Sequence, residues 1–368
     1  MIRRFAFFLL PVLGIVAIGS YAIFEVLTKL NIVSGGTPAQ IVGVFFVAMP
    51  IILIITMFIG FSHNNKIITC LYIPSALWLG ILLYLLMYSV IISLSNILFV
   101  SIGVEKYLPV LSHTLLIGIV ILIIYGIINA SNPRVKKFTI KSNALRNLWS
   151  DKKIILFSDA HLGIVRGAKF MKKVVELINK QNPDIVFIAG DIIDGPVFDY
   201  EKGLTSLRDL KPGLGIYYTP GNHEEYNSQP EKFYPIIKSV TNTLIDEKLI
   251  VNGTQIIGLD YKTETGAETR ERLYKSGYDK NLPSITLLHD PKHTKVLADE
   301  NVSLILSGHT HSGQFFPISL IVKSIYGKLA YGVNNFGNSN SITTCGVGTA
   351  MTPIRIGTNP EIVVIEII

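Results

Sequence analysis

The chain has 368 residues, 49% of them hydrophobic and only 16% charged, with a mean hydropathy of +0.45, which excludes an ordinary soluble enzyme facing water on every side. Two cysteines, Cys70 and Cys345, exclude a disulfide framework. The net charge of +7 calls for an anionic neighbour, but no interleaved aromatic and basic pattern of a nucleic-acid module is present, so the charge is assigned to a membrane surface.

Almost all of the apolar excess lies before residue 130. Phe5–Phe24, Ile41–Ser62 and Leu108–Asn129 are uncharged runs of bilayer length, and Ile67–Val104 is uncharged for 38 residues. The last run reads as one helix, about Cys70–Leu94, followed by an extracytoplasmic loop, because two helices would need a very tight hairpin. Residues 1–130 are therefore expected to form four transmembrane helices, at about 5–24, 41–62, 70–94 and 108–129. Arg3, Arg4, Lys66, Arg134, Lys136, Lys137 and Lys141 fall near span ends on one side, against Lys29 and Lys106 on the other. That asymmetry predicts an integral, multi-pass inner-membrane protein whose C-terminal domain lies in the cytoplasm.

Residues 131–150 read as a basic juxtamembrane linker, and 151–368 as one α/β domain. Apolar runs at Ile154–Phe157, Ile185–Ala189 and Ile216–Thr219 are expected as buried strands, with further β-rich runs at 255–259, 285–288 and 302–306. Helices are expected near Ala168–Lys180, Tyr200–Leu210 and Lys292–Glu300. Strands and helices that alternate in this way place helices outside sheets.

Chemistry-bearing residues follow the strands. Asp159-Ala160-His161 closes the first, Gly190-Asp191-Ile192-Ile193-Asp194 the second, and Gly221-Asn222-His223-Glu224 the third, with a lone His289 and Gly308-His309-Thr310-His311 beyond. Five of the chain's eight histidines fall in this set. Carboxylates and imidazoles at strand ends can hold two transition-metal ions about 3.5–4 Å apart, and Asp191, with two oxygens, is the natural bridge. Asp194 has a second reading as a cap on the turn before Gly195-Pro196. Arg166, in a glycine-flanked loop after His161, is either a grip for a substrate phosphate or a solvated loop cation.

From about Lys153 to Ile368 the chain resembles the calcineurin-like metallophosphoesterase superfamily, whose pattern is D-x-H, G-D-x-x-D, G-N-H-[DE], H and G-H-x-H. The run Ser312-Gly313-Gln314-Phe315-Phe316-Pro317 and the closing Arg355-Ile356-Gly357 through Ile368 are similar to a bacterial, membrane-associated branch. Ser312 stands where that branch carries glycine, a position that is not a ligand. The resemblance implies an αββα sandwich whose second sheet takes in the β-rich C-terminus at 342–345, 354–356 and 362–367. It implies one metal on Asp159, His161, Asp191 and His311, and a second on Asp191, Asn222, His289 and His309. Mixed carboxylate and imidazole ligands suit Mn, Fe or Zn, Mn being the first expectation. His223 would be the general acid, oriented by Asp194. The expected activity is hydrolysis of a phosphodiester or pyrophosphate by hydroxide held between the metals. The expected partners are membrane lipids and a lipid-linked phosphoester, with no obligate protein partner. Two other readings keep a place: the same hydrolase on soluble nucleotides with the spans as an anchor, and a membrane sensor or carrier with a regulatory phosphoesterase-like domain.

Overall fold

The computed structural model describes residues 36–61, 65–194, 199–227, 229–262 and 264–368, together with residues 16, 19–21, 23–24 and 27–28. Two compact units are present: Met1–Ile127 with Thr352–Ile354, and Ile128–Met351 with Arg355–Ile368.

In the first unit the described long helices are α1 (Thr37–Gly60), α2 (Lys66–Ser101) and α3 (Leu108–Ala130). Their most apolar windows have mean hydropathies of 2.8, 2.3 and 2.5, and each helix is long and apolar enough to cross a membrane. The span expected at 5–24 lies for the most part outside the described residues. The helix α2 outruns the expected 70–94, so that no loop begins at residue 95. The Asn65 side chain accepts from the Ile68 N–H at its start, and neither glycine nor proline interrupts it between Gly80 and Gly103, whose φ of +70° ends the run. Its 36 residues extend about 54 Å, well beyond a hydrocarbon core of about 30 Å.

Several hydroxyls of the described helices are satisfied internally, as lipid requires. The hydroxyls of Thr56, Ser75 and Ser89 donate to the carbonyls of Ile52, Leu71 and Leu85 in their own helices, and Tyr88 meets Ser112 at 2.7 Å. Phe45 and Phe46 stand edge-on to Trp78, with ring centroids 4.8 Å apart in each pair. Ile41, Val44, Ile67, Leu94 and Ile97 remain exposed, the apolar exterior expected of helices solvated by acyl chains.

In the second unit the described strands are β1 (Arg134–Ile140), β2 (Ile154–Phe157), β3 (Ile185–Ala189), β4 (Ile216–Thr219), β5 (Asn242–Thr243), β6 (Glu247–Val251), β7 (Thr254–Gly258), β8 (Ser284–Leu287), β9 (Leu304–Ser307), β10 (Gly332–Phe336), β11 (Ser339–Thr343) and β12 (Glu361–Ile367). They form two six-stranded sheets, ordered β1-β12-β2-β3-β4-β5 and β10-β11-β9-β8-β7-β6.

Alternate residues of one strand serve two cores, which explains the unbroken apolar runs. Ile154 and Leu156 pack between the sheets with Phe187, Ile285, Leu304 and Ile342. Ile155 and Phe157 face the opposite way, against the helices Ala168–Asn179 and Pro230–Val240, through Val174, Ile178, Phe233 and Ile237. On the far side of the second sheet, Ile257 and Ile305 meet Leu273 and Leu297 from the helices Gly266–Lys275 and Thr294–Asp299. The order helix, sheet, sheet, helix is the αββα sandwich.

Three expectations are corrected here. Residues 131–150 are not a free linker, because β1 runs parallel to β12 from Arg134↔Glu361 to Ile140↔Ile367 and the helix Asn143–Trp149 follows, burying Leu145 and Trp149. The strand expected at 362–367 belongs to the first sheet, where β12 lies antiparallel to β2, rather than to the second. Residues 354–356 form no strand; Ile356 makes only an isolated bridge with Phe315.

Candidate metal centre

Five of the loops that leave the two sheets carry the candidate ligands. Asp159 and His161 follow β2, Asp191 follows β3, Asn222 and His223 follow β4, His289 follows β8, and His309 and His311 follow β9. All these strands give up their ligands at their carboxyl ends, so both sheets deliver side chains to one crevice.

Two groups form there. Asp159, His161 and His311 have ligating atoms within 4.8 Å of one another, as do Asp191, His289 and His309. His161 Nε2 lies 3.0 Å from His311 Nε2, and His289 Nε2 lies 3.3 Å from His309 Nδ1. Asp191 stands between the groups, its Oδ2 3.1 Å from His289 Nε2 and 3.8 Å from His161 Nε2. Like nitrogens this close need a shared proton or a shared cation.

The backbone here is strained. Asp159, His161, Asp191, His309 and His311 all have φ between +46° and +70°, the left-handed region that L-residues avoid at a cost of about 1–3 kcal/mol each. The surroundings hold them in place. Asp159 N–H donates to Gly190 and His161 N–H to the Asp191 carbonyl, while the His309 N–H donates to the Asp159 carboxylate, which also accepts from the Ser158 hydroxyl. Two glycines permit the approach. A Cβ on Gly221 would stand 2.8 Å from His289 Cδ2, and one on Gly346, whose φ is +76°, would stand 2.6 Å from Asp159 Cβ.

Hydrogen bonds to the outer nitrogens decide which nitrogen each ring presents. His289 Nδ1 donates to the Ala189 carbonyl at 2.6 Å, which turns Nε2 toward Asp191. His161 Nδ1 faces Asp194 Oδ1 at 3.1 Å, which leaves Nε2 for the crevice. Burial lowers the His289 pKa, but the Asp191 carboxylate outweighs it and pushes the imidazole up to about 10. Burial would raise Asp191; the His289 and His223 rings hold it well below the usual carboxylate range instead. Burial, His161 and Arg355 together hold His311 well below its usual value. A divalent cation entering beside Asp191 would take the place of the His289 proton.

The donor set fits such cations. Asn222 Oδ1 is buried and has no partner among the described residues, an arrangement costing about 1–3 kcal/mol unless a further group sits against it. A buried amide oxygen without a donor, on a residue whose neighbours Gly221 and His223 both meet Asp191, is what a cation would complete.

A third group, His161, Asp194 and His223, adjoins the first two. His223 was expected to rest on the Asp194 carboxylate. The structure divides that residue differently: the His223 Nδ1 meets the Asp194 backbone carbonyl at 3.1 Å and its Oδ1 at 3.4 Å, while Oδ1 lies nearer to His161 Nδ1. Asp194 therefore orients two histidines, one through each kind of oxygen. The His161 and His223 rings stand edge to face, 4.5 Å apart.

Arg166 is not a solvated loop cation. Its guanidinium is buried, donates to the Ala130 carbonyl and the Ser131 hydroxyl, and stacks over Phe170 at 4.7 Å. Burial, with Arg355 nearby, lowers its pKa to about 10. Its hydrogen bonds tie the loop after His161 to the residues that lead into β1.

Two residues without an assigned role prove central. The Glu224 carboxylate accepts from the N–H groups of Asp191, Ile192, Ile193 and Gly221, at 2.6–3.1 Å, and so locks the second and third motif loops together. Burial and Asp191 push its pKa up, and those backbone donors counter part of the rise. Its place as the acid of G-N-H-E was the available signal. Arg355 is fully buried, with its guanidinium on the carbonyls of Cys345 and Gly348 and 3.1 Å from His311 Nδ1. The loop it holds returns the Gly348 N–H to the Asp159 carbonyl. No spacing in the sequence marks it.

With this geometry in view, similarity to known proteins is informative. The profile of the calcineurin-like phosphoesterase family matches residues 152–313, the stretch that holds all of these ligands. An uncharacterized metallophosphoesterase of Campylobacter jejuni is 31% identical over 260 residues, 68% of each chain, and one of Helicobacter pylori strain J99 is 30% identical over 244 residues, 65% of each. The chain thus spans just under two thirds of the Helicobacter relative's length. A Danio rerio protein named as a transmembrane protein with metallophosphoesterase domain is 27% identical over 66% of this chain and 59% of its own. Members of the family bind divalent metals, and the Asp and His groups of this crevice are able to hold them. The strand-end motifs, their convergence and the Campylobacter relative agree: this chain belongs to the calcineurin-like phosphoesterase family.

Proposed function

We propose that this chain is a membrane-embedded phosphoesterase that uses two divalent metal ions to hydrolyse a phosphodiester or pyrophosphate bond on a lipid-linked substrate. The observation that carries the reading is the pair of adjoining ligand groups with Asp191 between them, together with the orphaned Asn222 oxygen on the loop after β4. Asp159, His161, Asp191 and His311 would hold one ion, and Asp191, Asn222, His289 and His309 the other. Mn, Fe and Zn suit these ligands, Mn first. When bound, two such ions acidify water and offset charge on the phosphoryl oxygens.

The chain's own residues do the rest. Asp194 engages Nδ1 of both His161 and His223, so His223 can pass a proton only through Nε2. That nitrogen would protonate the departing oxygen. The lipid-linked class is supported by the company this site keeps: three helices apolar enough to cross a membrane, followed directly by the exposed cations Arg134, Lys136 and Lys137 on β1.

Loading the purified chain with Mn, Fe or Zn should give two ions per chain by elemental analysis. Turnover of a lipid-linked phosphodiester or pyrophosphate in mixed micelles should then exceed that of its soluble headgroup. A chain that takes up no metal would refute the site reading. Equal turnover of both substrates would refute the lipid reading and favour soluble nucleotides.

The seven-to-two distribution of Lys and Arg across the span ends further supports a cytoplasmic second unit in an inner membrane. Reporter enzymes fused after Ile368 should be active only when of the type that works in the cytoplasm. Activity of a periplasm-dependent reporter instead would reverse the topology.

A further inference from the structure

Within the second unit, the helix Ile318–Tyr326 is unusual for a water-facing surface. None of its nine residues is buried, yet its sequence is Ile-Ser-Leu-Ile-Val-Lys-Ser-Ile-Tyr. Leu320, Ile321 and Ile325 are 57%, 53% and 70% exposed, and Phe316 just before them is 44% exposed. Ile318, Ile321, Val322 and Ile325 recur at helical spacing and form one apolar stripe. The only ionised side chains from Phe316 to Lys328 are Lys323 and Lys328, both exposed.

The helix is also fixed to the metal centre. It begins seven residues after His311, the Ser319 N–H donates to the Phe315 carbonyl, and the Tyr326 ring at its other end lies 6.3 Å from that of His309. A surface that takes up the stripe therefore lies close to His309.

We infer that Ile318–Tyr326 is an interfacial membrane helix that seats its apolar stripe among lipid acyl chains, with Lys323 and Lys328 on anionic headgroups, and so holds the crevice at the bilayer surface. Two observations select a bilayer over another protein. The same chain carries three helices apolar enough to cross a membrane, so lipid is its standing neighbour. The ionised side chains of residues 316–328 themselves, Lys323 and Lys328, are both basic, with Asp290 the acid that meets Tyr326 at the helix end, and this pair of cations complements an anionic leaflet. The inference deepens the lipid-substrate reading and rests on it for its catalytic consequence, while the seating itself can be measured without turnover.

The test uses the full chain in nanodiscs, on a Cys70→Ser background, with Cys345 buried and unreactive. Ile321→Cys and Ile325→Cys carry an environment-sensitive fluorophore, with the exposed Glu271→Cys as the control. In discs containing phosphatidylglycerol, the first two probes should shift to the blue and be quenched by lipids spin-labelled on the acyl chain, while the control is not. Pure phosphatidylcholine should weaken both effects. Probes at 321 and 325 that stay in water in both compositions overturn the inference, as does a blue shift that grows with protein concentration but is not quenched by lipid. In a second arm, the double variant Ile321→Glu with Ile325→Glu should lower turnover of a lipid-linked phosphoester by at least about tenfold and leave a soluble aryl phosphodiester unchanged. Loss on both substrates overturns the interfacial role. Quenching without any phosphoesterase activity would refute the proposed reaction and leave the seating intact.

Discussion

Asp191→Asn is expected to abolish binding of both metal ions and to reduce turnover by more than about a thousandfold, since a bridging charge in such a site is worth several kcal/mol. The substitution keeps the shape and removes the charge. Asp191 Oδ1 accepts the His223 N–H at 2.9 Å, and its Oδ2 faces His289 Nε2 at 3.1 Å. An asparagine must keep its oxygen toward the His223 N–H, because the reverse orientation sets two donors against each other. Its NH₂ group is then driven toward His289 and His161, into the space that the proposed ions would share. The fold should survive, because the turn at residue 191 is held by the Glu224 carboxylate on the N–H groups of residues 191–193, which the substitution leaves in place. Elemental analysis and thermal unfolding on one preparation separate the two effects. A variant that keeps two ions per chain would refute the bridging role. One that unfolds would instead show that the Asp191 charge is needed to balance the buried imidazoles.

How far this centre can be read from sequence depends on the range of the interaction. The strands β2, β3 and β4 are legible because both faces are buried and the apolar run stops where the ligands start, a local signal that also places the ligands at strand ends. The strand β1 is not. Arg134, Lys136 and Lys137 sit on an edge strand where cations can point to solvent, and the same charges read locally as a linker. The sheet that β12 joins is equally hidden, since its neighbours are residues 134–140 and 154–156, and pairing across more than two hundred residues leaves no periodic trace. Two helices carry no clear local signal: Pro230–Val240 contains Pro235, and Ile318–Tyr326 is rich in β-branched residues. At the centre, the motifs name the candidate ligands but not the left-handed backbone of five of them, nor Arg355, which reaches His311 across the fold from a segment without a metal-binding residue type.

His223→Ala is expected to retain both metals and to lose roughly 10² to 10⁴-fold in kcat, the scale of a positioned general acid. The reason lies in what His223 touches. Its backbone N–H holds Asp191 Oδ1, and the substitution keeps that bond. Its ring packs edge to face on His161 and reaches Asp194 through Nδ1, without belonging to either of the two groups that would hold the metals. Removing the ring leaves Asp194 Oδ1 with His161 Nδ1 at 3.1 Å, so the tautomer of that ligand is preserved. The lost function is a proton for the departing oxygen. The deficit should therefore be largest for alkoxide leaving groups and small for nitrophenolates, which depart without protonation. Added imidazole should restore part of the rate with the first class and none with the second. A rate loss that is independent of the leaving group would point to charge stabilisation by His223 in place of proton transfer. Loss of a metal ion from the variant would show that His223 supports the ligands themselves, and the division of roles between His223 and its neighbour Asn222 would have to be redrawn.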